Sequence, residues 1–96
     1  MIRSSRVTGD TTVFTGFSRF YGAIIDGDGT NDFDVVILDN ATEIFRAGVT
    51  QPKRYGGAII STEEEHFLPI SNSIVVDITT AGTGGVTVFY SAKDWR

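Results

Sequence analysis

The sequence predicts a small all-β domain, an antiparallel β-sandwich of the jelly-roll type. Short runs of β-branched and aromatic residues alternate with polar residues along most of the chain, which is the period of a strand. Turn signals rich in Gly, Asp and Asn separate these runs at spacings of about 8–12 residues, as in sandwiches. No stretch longer than a few residues shows a helical period. We therefore expect roughly seven to nine short strands in one domain, spanning residues 1–96.

Composition restricts the class of protein. The 96 residues are 41% hydrophobic and 21% charged, a balance that favours a globular domain over a disordered chain. There is no cysteine, so disulfides and thiolate zinc sites are excluded. The formal net charge of −4 argues against a nucleic-acid partner. A core of this size gives only marginal stability, which assembly with other proteins would supplement.

The first residues and the apolar runs bear on location. Met1–Arg6 leads into no apolar run and does not have the pattern of a signal peptide. The longest strongly apolar run, Val35–Leu38, is too short to cross a bilayer. We therefore expect a protein that is made in a cytoplasm, without a membrane partner.

The first half of the chain contains four segments that are typical of strands or edges. Residues 1–8 are polar, with two arginines, and form either an N-terminal arm or a short edge strand. Thr11–Thr15 and Phe17–Ile25 follow as strands, separated by a glycine. The Asp-Gly pairs of residues 26–32 predict a tight turn, after which Phe33–Leu38 forms the next strand.

The middle of the chain predicts weaker elements. Thr42–Ala47 is a short strand candidate, and Tyr55–Ser61 is a strand interrupted by two glycines. Thr62–His66 fits either one capped helical turn or an exposed loop. The apolar segment Phe67–Ile70 leads into the last strands, and residues 92–96 form a charged C-terminal tail.

The clearest strands are the last two, which we expect to pair as a closing hairpin around a glycine-rich turn. With Ile78 opposite Val86, one face of the hairpin is entirely apolar and must be buried. Its members are Ile74, Val76 and Ile78 on the first strand and Val86, Val88 and Tyr90 on the second.

The other face of the closing hairpin carries a second apolar pair, Val75 opposite Phe89. A small domain has little material with which to cover this pair. We therefore expect it to contact a partner, although an apolar outer face can also be internal packing. Tyr21 and Trp95 join these interface candidates because Tyr, Trp and Arg are enriched in interfaces.

Two pieces at the ends of the chain are natural contacts to a neighbouring subunit. The N-terminal arm contributes Arg3 and Arg6, and the tail contributes Trp95. The complete set of predicted interface residues is Tyr21, Val75, Phe89, Trp95, Arg3 and Arg6.

The sequence predicts no catalytic, metal or cofactor site. The carboxylates of residues 26–34 leave calcium open, but they do not match an EF-hand loop, and a solvated turn is the favoured interpretation. His66 stands beside three glutamates on contiguous positions, which is not the spacing of a zinc site. There is no nucleophile elbow and no phosphate-binding glycine motif. We therefore expect a protein that is not an enzyme.

Several short motifs resemble small virion proteins of tailed bacteriophages, including capsid decoration (cement) proteins. The motifs are Val-Phe-Thr-Gly at 13–16, Phe-Tyr-Gly at 20–22, an Asp-Gly turn, Val-Val-Ile-Leu-Asp-Asn at 35–40, Phe-Leu-Pro-Ile at 67–70 and Gly-Gly-Val-Thr-Val-Phe-Tyr-Ser at 84–91.

That resemblance implies a structural protein of the virion, often a homotrimer, that binds the major capsid protein or other virion proteins and reinforces the shell. It implies synthesis in the host cytoplasm and a final place on the capsid surface. It carries over no catalytic residue and no cofactor, and it fits a neck or tail component as well. The alternative is a tail- or fibre-associated module that binds carbohydrate through Tyr21, Tyr55 or Trp95.

Overall fold

The computed structural model describes residues 1–79 and 82–96, and within them the chain is all β-strand and loop. The predicted β-sandwich is confirmed. Nine strands occur in the described residues: β1 Arg3–Val7, β2 Thr11–Thr15, β3 Ser18–Asp26, β4 Phe33–Asp39, β5 Thr42–Val49, β6 Tyr55–Ile59, β7 Leu68–Ile70, β8 Ser73–Ile78 and β9 Gly85–Ser91.

Two antiparallel sheets form the sandwich. Sheet A has the order β1-β9-β3-β6, with the short β7 also beside β3, and sheet B has the order β2-β8-β4-β5. Strand pairing is nested, since β1 pairs with β9, β2 with β8, β3 with β6 and β4 with β5. A long hairpin that is rolled up in this way is a jelly roll.

The core lies between the two sheets and follows from strand alternation. Residues at every second position of β8 and β9 point inward and are fully buried, among them Ile74, Val76, Val86 and Val88. Tyr90 closes the same row with 9% of its surface exposed, and Ile78 packs at its margin. The predicted inner face of the last two strands is therefore core.

The predicted pairing of these two strands is wrong. The strand β8 pairs with β2 and β4 in sheet B, whereas β9 pairs with β1 and β3 in sheet A. Their apolar rows face each other across the core instead of lying side by side. Period-two alternation gives the same buried positions in both arrangements, so it cannot distinguish a hairpin from a connection that changes sheets. Val75 and Phe89 consequently lie on the outer faces of opposite sheets.

A bulge in β3 changes which residues face the core. The register with β9 shifts between Phe20 and Gly22, so that Tyr21 is the extra residue. Phe20 and Ala23 are therefore both in the core, although simple alternation predicts opposite faces for them. Gly22 has a φ of 130°, and a Cβ there would collide with the carbonyl oxygen of Ala58.

Two segments that the sequence left open are resolved by the structure. The N-terminal residues are not a free arm, because Arg3–Val7 forms the edge strand β1 and pairs with β9 over its whole length. Residues 62–66 form a loop and not a helical turn. The charged tail begins directly after β9, as predicted.

Asp39 ties the end of β4 to the turn between β7 and β8. Its carboxylate accepts the backbone N–H groups of Ser71 and Asn72 at 2.9 Å and of Ser73 at 3.2 Å. Partial burial raises the pKa of Asp39, but these three donors outweigh it, so the pKa lies below its ordinary 3.8.

We expect Asp39→Asn to lower the free energy of unfolding by about 1 kcal/mol at neutral pH, because an amide accepts these bonds less well than a carboxylate. The folded-state pKa is depressed, so this stabilisation is complete above the ordinary value of 3.8 and is lost as the pH falls through the folded pKa. Urea unfolding at a series of pH values should show the difference between variant and wild type shrinking in acid. A difference that is independent of pH would contradict this account.

Candidate docking surface

The outer face of sheet A carries an apolar depression, which we call the sheet A groove. Its volume is about 290 Å³, and its lining combines three strands with the loop that follows β6. The lining residues are Ile2, Ile24, Ile59, Ser61, Thr62 and Phe89.

The ladder explains why a flat sheet has a depression here. Gly22 lies between Phe89 on β9 and Ile59 on β6, so the middle of this cross-strand row lacks a side chain. In the neighbouring row, Ile24 stands beside Gly57, which also leaves a gap. A Cβ on Gly57 would collide with the carbonyl oxygen of Ala23, so neither gap can be filled without moving the backbone. Large apolar side chains therefore surround a floor of backbone.

The groove is open to solvent. Ile24 and Ile59 are 37% and 39% exposed, and Ile60, at the end of β6, is 43% exposed. Single exposed apolar residues are ordinary, whereas a contiguous apolar depression is a candidate interaction surface. Phe89 is half-buried in its wall. The predicted interface residue Phe89 thus lies on this surface.

A buried arginine holds the loop at one side of the groove. Arg19 is 5% exposed, and its Nη1 donates to the carbonyl oxygen of Glu64 at 2.9 Å. Its Nη2 donates to the carbonyl oxygen of Asp94 in the tail at 3.4 Å, and its guanidinium lies 4.4 Å from the ring centroid of Phe67. Arg19 therefore fastens both the loop of residues 61–67 and the C-terminal tail to sheet A.

Tyr21 completes this anchor and is not available to a partner. The bulge in β3 directs it away from the core, but the loop of residues 61–67 covers it completely. Its hydroxyl donates to the carbonyl oxygen of Glu64 at 2.7 Å, and its ring packs on Phe67. Burial raises the pKa of Tyr21 above its ordinary 10.0. The expectation that Tyr21 belongs to a contact surface does not fit this position.

Val75 does not share a surface with Phe89. It lies half-buried on the outer face of sheet B, beside Leu38 of β4 and Thr12 of β2. Charged residues stand around this region, and Arg46 and Glu43 on β5 form an ion pair at 2.7 Å. The outer face of sheet B is therefore a mixed polar surface.

Trp95 is fastened to its own chain. Its indole N–H donates to the carbonyl oxygen of Ile70 at 2.8 Å, and its ring meets Phe17 edge-on at 5.8 Å between centroids. The guanidinium of Arg96 lies over the ring of Phe17, 3.6 Å from its centroid. Trp95 thus holds the tail against the sandwich, half-buried, and does not present a free aromatic platform.

The remaining predicted positions lie on or near sheet A. Arg3 and Arg6 are exposed on the edge strand β1, and Arg6 lies 3.4 Å from the carboxylate of Asp26. Tyr55 is 70% exposed at the start of β6. Among the three aromatic rings proposed for sugar binding, Tyr55 is exposed, whereas Tyr21 is buried and Trp95 is docked on Phe17.

The aspartate-rich turn of residues 26–32 is held by hydrogen bonds to the side chain of Asp28. Asp28 accepts the backbone N–H groups of Thr30 and Asn31 at 2.8 Å, and its other oxygen accepts the N–H of Thr83 at 2.9 Å. The bonds from Asn31 in particular hold the pKa of Asp28 well below its usual range. No group of three or more His, Cys, Asp or Glu side chains in residues 1–79 and 82–96 is arranged to hold a metal ion.

The isoleucines of the groove escaped prediction, although the sequence contained a signal for them. Ile24-Ile25 and Ile59-Ile60 are adjacent apolar pairs within or at the end of strands. Because successive side chains of a strand point to opposite faces, the pair inside β3 must place one isoleucine on each side of sheet A. Ile25 is in the core and Ile24 in the groove, as this rule requires.

The described part of the chain contains no helix long and apolar enough to cross a bilayer. Comparison of the sequence and fold with protein-family models, with curated proteins and with solved structures finds no match. Function is therefore inferred from the surface itself.

Proposed function

We propose that this protein is a structural docking module that binds a larger protein assembly through the sheet A groove. The assembly that fits best is the shell of a tailed phage, in which the protein would act as a decoration (cement) protein on the major capsid protein. The observation that carries the proposal is the apolar groove around Phe89, which the described chain leaves uncovered. Contiguous exposed apolar surface is common at protein-binding sites.

The chemistry of the groove indicates what it binds. Six side chains line it, of which only Ser61 and Thr62 are polar and none is charged. A complementary ligand is an apolar side chain or a short apolar segment on the partner protein, since burial of apolar area drives such contacts. Arg6 lies on the same face of sheet A, where it is paired with Asp26.

The jelly-roll fold is compatible with a protein of the virion. Jelly rolls serve in viral capsid and lectin domains, among others, and a fold by itself does not determine function. The apolar groove favours the protein-binding use over the sugar-binding use, because of the three aromatic residues considered for sugar binding Tyr55 alone is exposed, and it lies outside the groove. Phe89 forms one wall of the groove, and its neighbours there are aliphatic side chains.

We expect Phe89→Asp to abolish docking onto heads assembled from the major capsid protein while the domain stays folded. A carboxylate in this apolar wall would lose its hydration on docking without gaining a partner. Thr87→Asp is the matched control, because Thr87 lies on the same face of the same strand but outside the groove.

Co-sedimentation of each purified variant with the heads, together with circular dichroism of the free protein, measures both effects. The proposal requires bound wild type, bound Thr87→Asp and unbound but folded Phe89→Asp. Equal binding of the two variants would show that the groove is not part of the contact. Absence of wild-type binding would show that the shell is not the partner.

A further inference from the structure

The bulge in β3 contributes to both the floor and one wall of the sheet A groove. Its extra residue, Tyr21, directly precedes Gly22, whose missing side chain leaves the floor of the groove open. The carbonyl oxygen of Tyr21 accepts the N–H of Ile60 at 2.7 Å and the N–H of Ser61 at 3.4 Å, at the point where β6 passes into the loop of residues 61–67. One irregular position in the strand therefore adjoins two parts of the groove.

The side chain of Tyr21 holds the same loop further along the chain. Its hydroxyl donates to the carbonyl oxygen of Glu64 at 2.7 Å, and its ring meets Phe67 edge-on at 6.4 Å between centroids. The carbonyl oxygen of Glu64 also accepts Nη1 of Arg19 at 2.9 Å, so two donors converge on the two lone pairs of one oxygen. Tyr21 thus contacts the loop at its start, its middle and its end.

The loop has to be held in place for the groove to be complete in the free protein. Ser61 and Thr62 are the part of the lining that the loop supplies. The N–H of Glu63 donates to Ser61 Oγ at 2.9 Å, which ties this part of the lining to the residue next to Glu64. A surface that is already ordered before binding loses less conformational freedom when its partner binds.

We propose that Tyr21 is a positioning residue of the sheet A groove, which holds the loop of residues 61–67 as a preformed wall for the docking partner. The holding of the loop is a property of the free protein, whereas its effect on docking rests on the proposed function. A loop that moved freely would have to be ordered each time the partner bound, and that entropic cost would lower the affinity. Tyr21 then serves docking without touching the partner.

Tyr21→Phe tests the proposal, because it removes the hydroxyl and keeps the ring. Arg19 still donates to Glu64 in this variant, so we expect the domain to stay folded. Amide hydrogen exchange should become faster at Glu63 and His66, whose N–H groups bond within the loop. Docking onto heads assembled from the major capsid protein should weaken about three- to tenfold, the usual effect of one lost hydrogen bond.

Ile37→Val separates a positioning role from a general loss of stability. Ile37 is fully buried on β4 of sheet B, and the loss of one methylene group there lowers the stability of the whole domain. We expect this control to keep the wild-type exchange of the loop and the wild-type docking. Equal weakening of docking by the two changes would overturn the proposal. So would a Tyr21→Phe protein with wild-type loop exchange, or one with a loosened loop and undiminished docking.

Phe67→Leu reaches the same anchor from the loop and is decisive if Tyr21→Phe does not fold. It removes the ring that packs on Tyr21 and lies 4.4 Å from the guanidinium of Arg19. We expect faster loop exchange and weaker docking here as well, and wild-type behaviour in both would overturn the proposal. If the wild type binds no heads, the proposed function fails, and the exchange comparison alone then decides whether Tyr21 holds the loop.

Discussion

Val88→Asp is expected to unfold the domain. Val88 is fully buried between the sheets, in the ladder between Ser5 of β1 and Ala23 of β3. A carboxylate at this position has no cationic partner among the apolar residues of the core. The cost of burying it is about 4 kcal/mol or more, which is comparable with the total stability of roughly 5–15 kcal/mol for a small domain.

The control for Val88→Asp is again Thr87→Asp. Thr87 is the adjacent residue of β9 and points to the outer face, where water solvates a carboxylate. Circular dichroism and thermal unfolding should show a folded Thr87→Asp and an unfolded Val88→Asp. If Val88→Asp melted cooperatively near the wild-type temperature, the inward direction of this row would be wrong.

Arg19→Met is expected to have the second largest effect on stability, about 2–4 kcal/mol. Methionine fills most of the space of the arginine stem, so the change removes the hydrogen bonds more than the packing. Replacing a buried charge by an apolar side chain is often harmless where its partners can be replaced as well. Here the partners are the carbonyl oxygens of Glu64 and Asp94 and the carboxylate of Glu65, which remain in place and lose a donor.

Arg19→Met should loosen particular segments as well as lower the free energy of unfolding. Hydrogen exchange should increase in residues 61–67 and in the tail, because Arg19 joins both to sheet A. Arg46→Met serves as the control, since Arg46 is exposed and pairs with Glu43 at the surface of sheet B. Exposed pairs of this kind contribute little to stability. Equal destabilisation by the two changes would show that Arg19 is not an anchor.

The sequence was sufficient for the fold class and for the buried faces of the strands. Alternation placed Val86, Val88 and Tyr90 in the core, and the Asp-Gly pairs predicted the turn that Asp28 holds by hydrogen bonds. These features depend on neighbours within a few positions, which the sequence displays directly.

Sheet membership could not be predicted from the same pattern. The strands β8 and β9 belong to different sheets, and only long-range ladders such as β1 with β9 decide this. The bulge at Tyr21 could not be predicted from the sequence pattern. One extra residue in β3 reverses which positions face the core on either side of it. Tyr21 was expected to face away from the core, which it does, but the loop of residues 61–67 buries it.

The residues of the sheet A groove were predicted in part. Phe89 was expected to face away from the core, and it lies in the sheet A groove. Its expected neighbour Val75 lies on the other sheet, and the isoleucines that surround Phe89 come from β3 and β6. A groove that is assembled from four separate parts of the chain cannot be seen in a local pattern.

If the sheet A groove docks the protein onto a phage shell, the contact is visible on assembled heads. The most direct test is a cryo-electron microscopic reconstruction of phage heads to which the purified wild-type protein has been added. We expect ordered density for the β-sandwich on the shell. Phe89 and the groove should lie against the capsid protein, and sheet B should face solvent. Heads without added density, or density in which sheet B forms the contact, would contradict it.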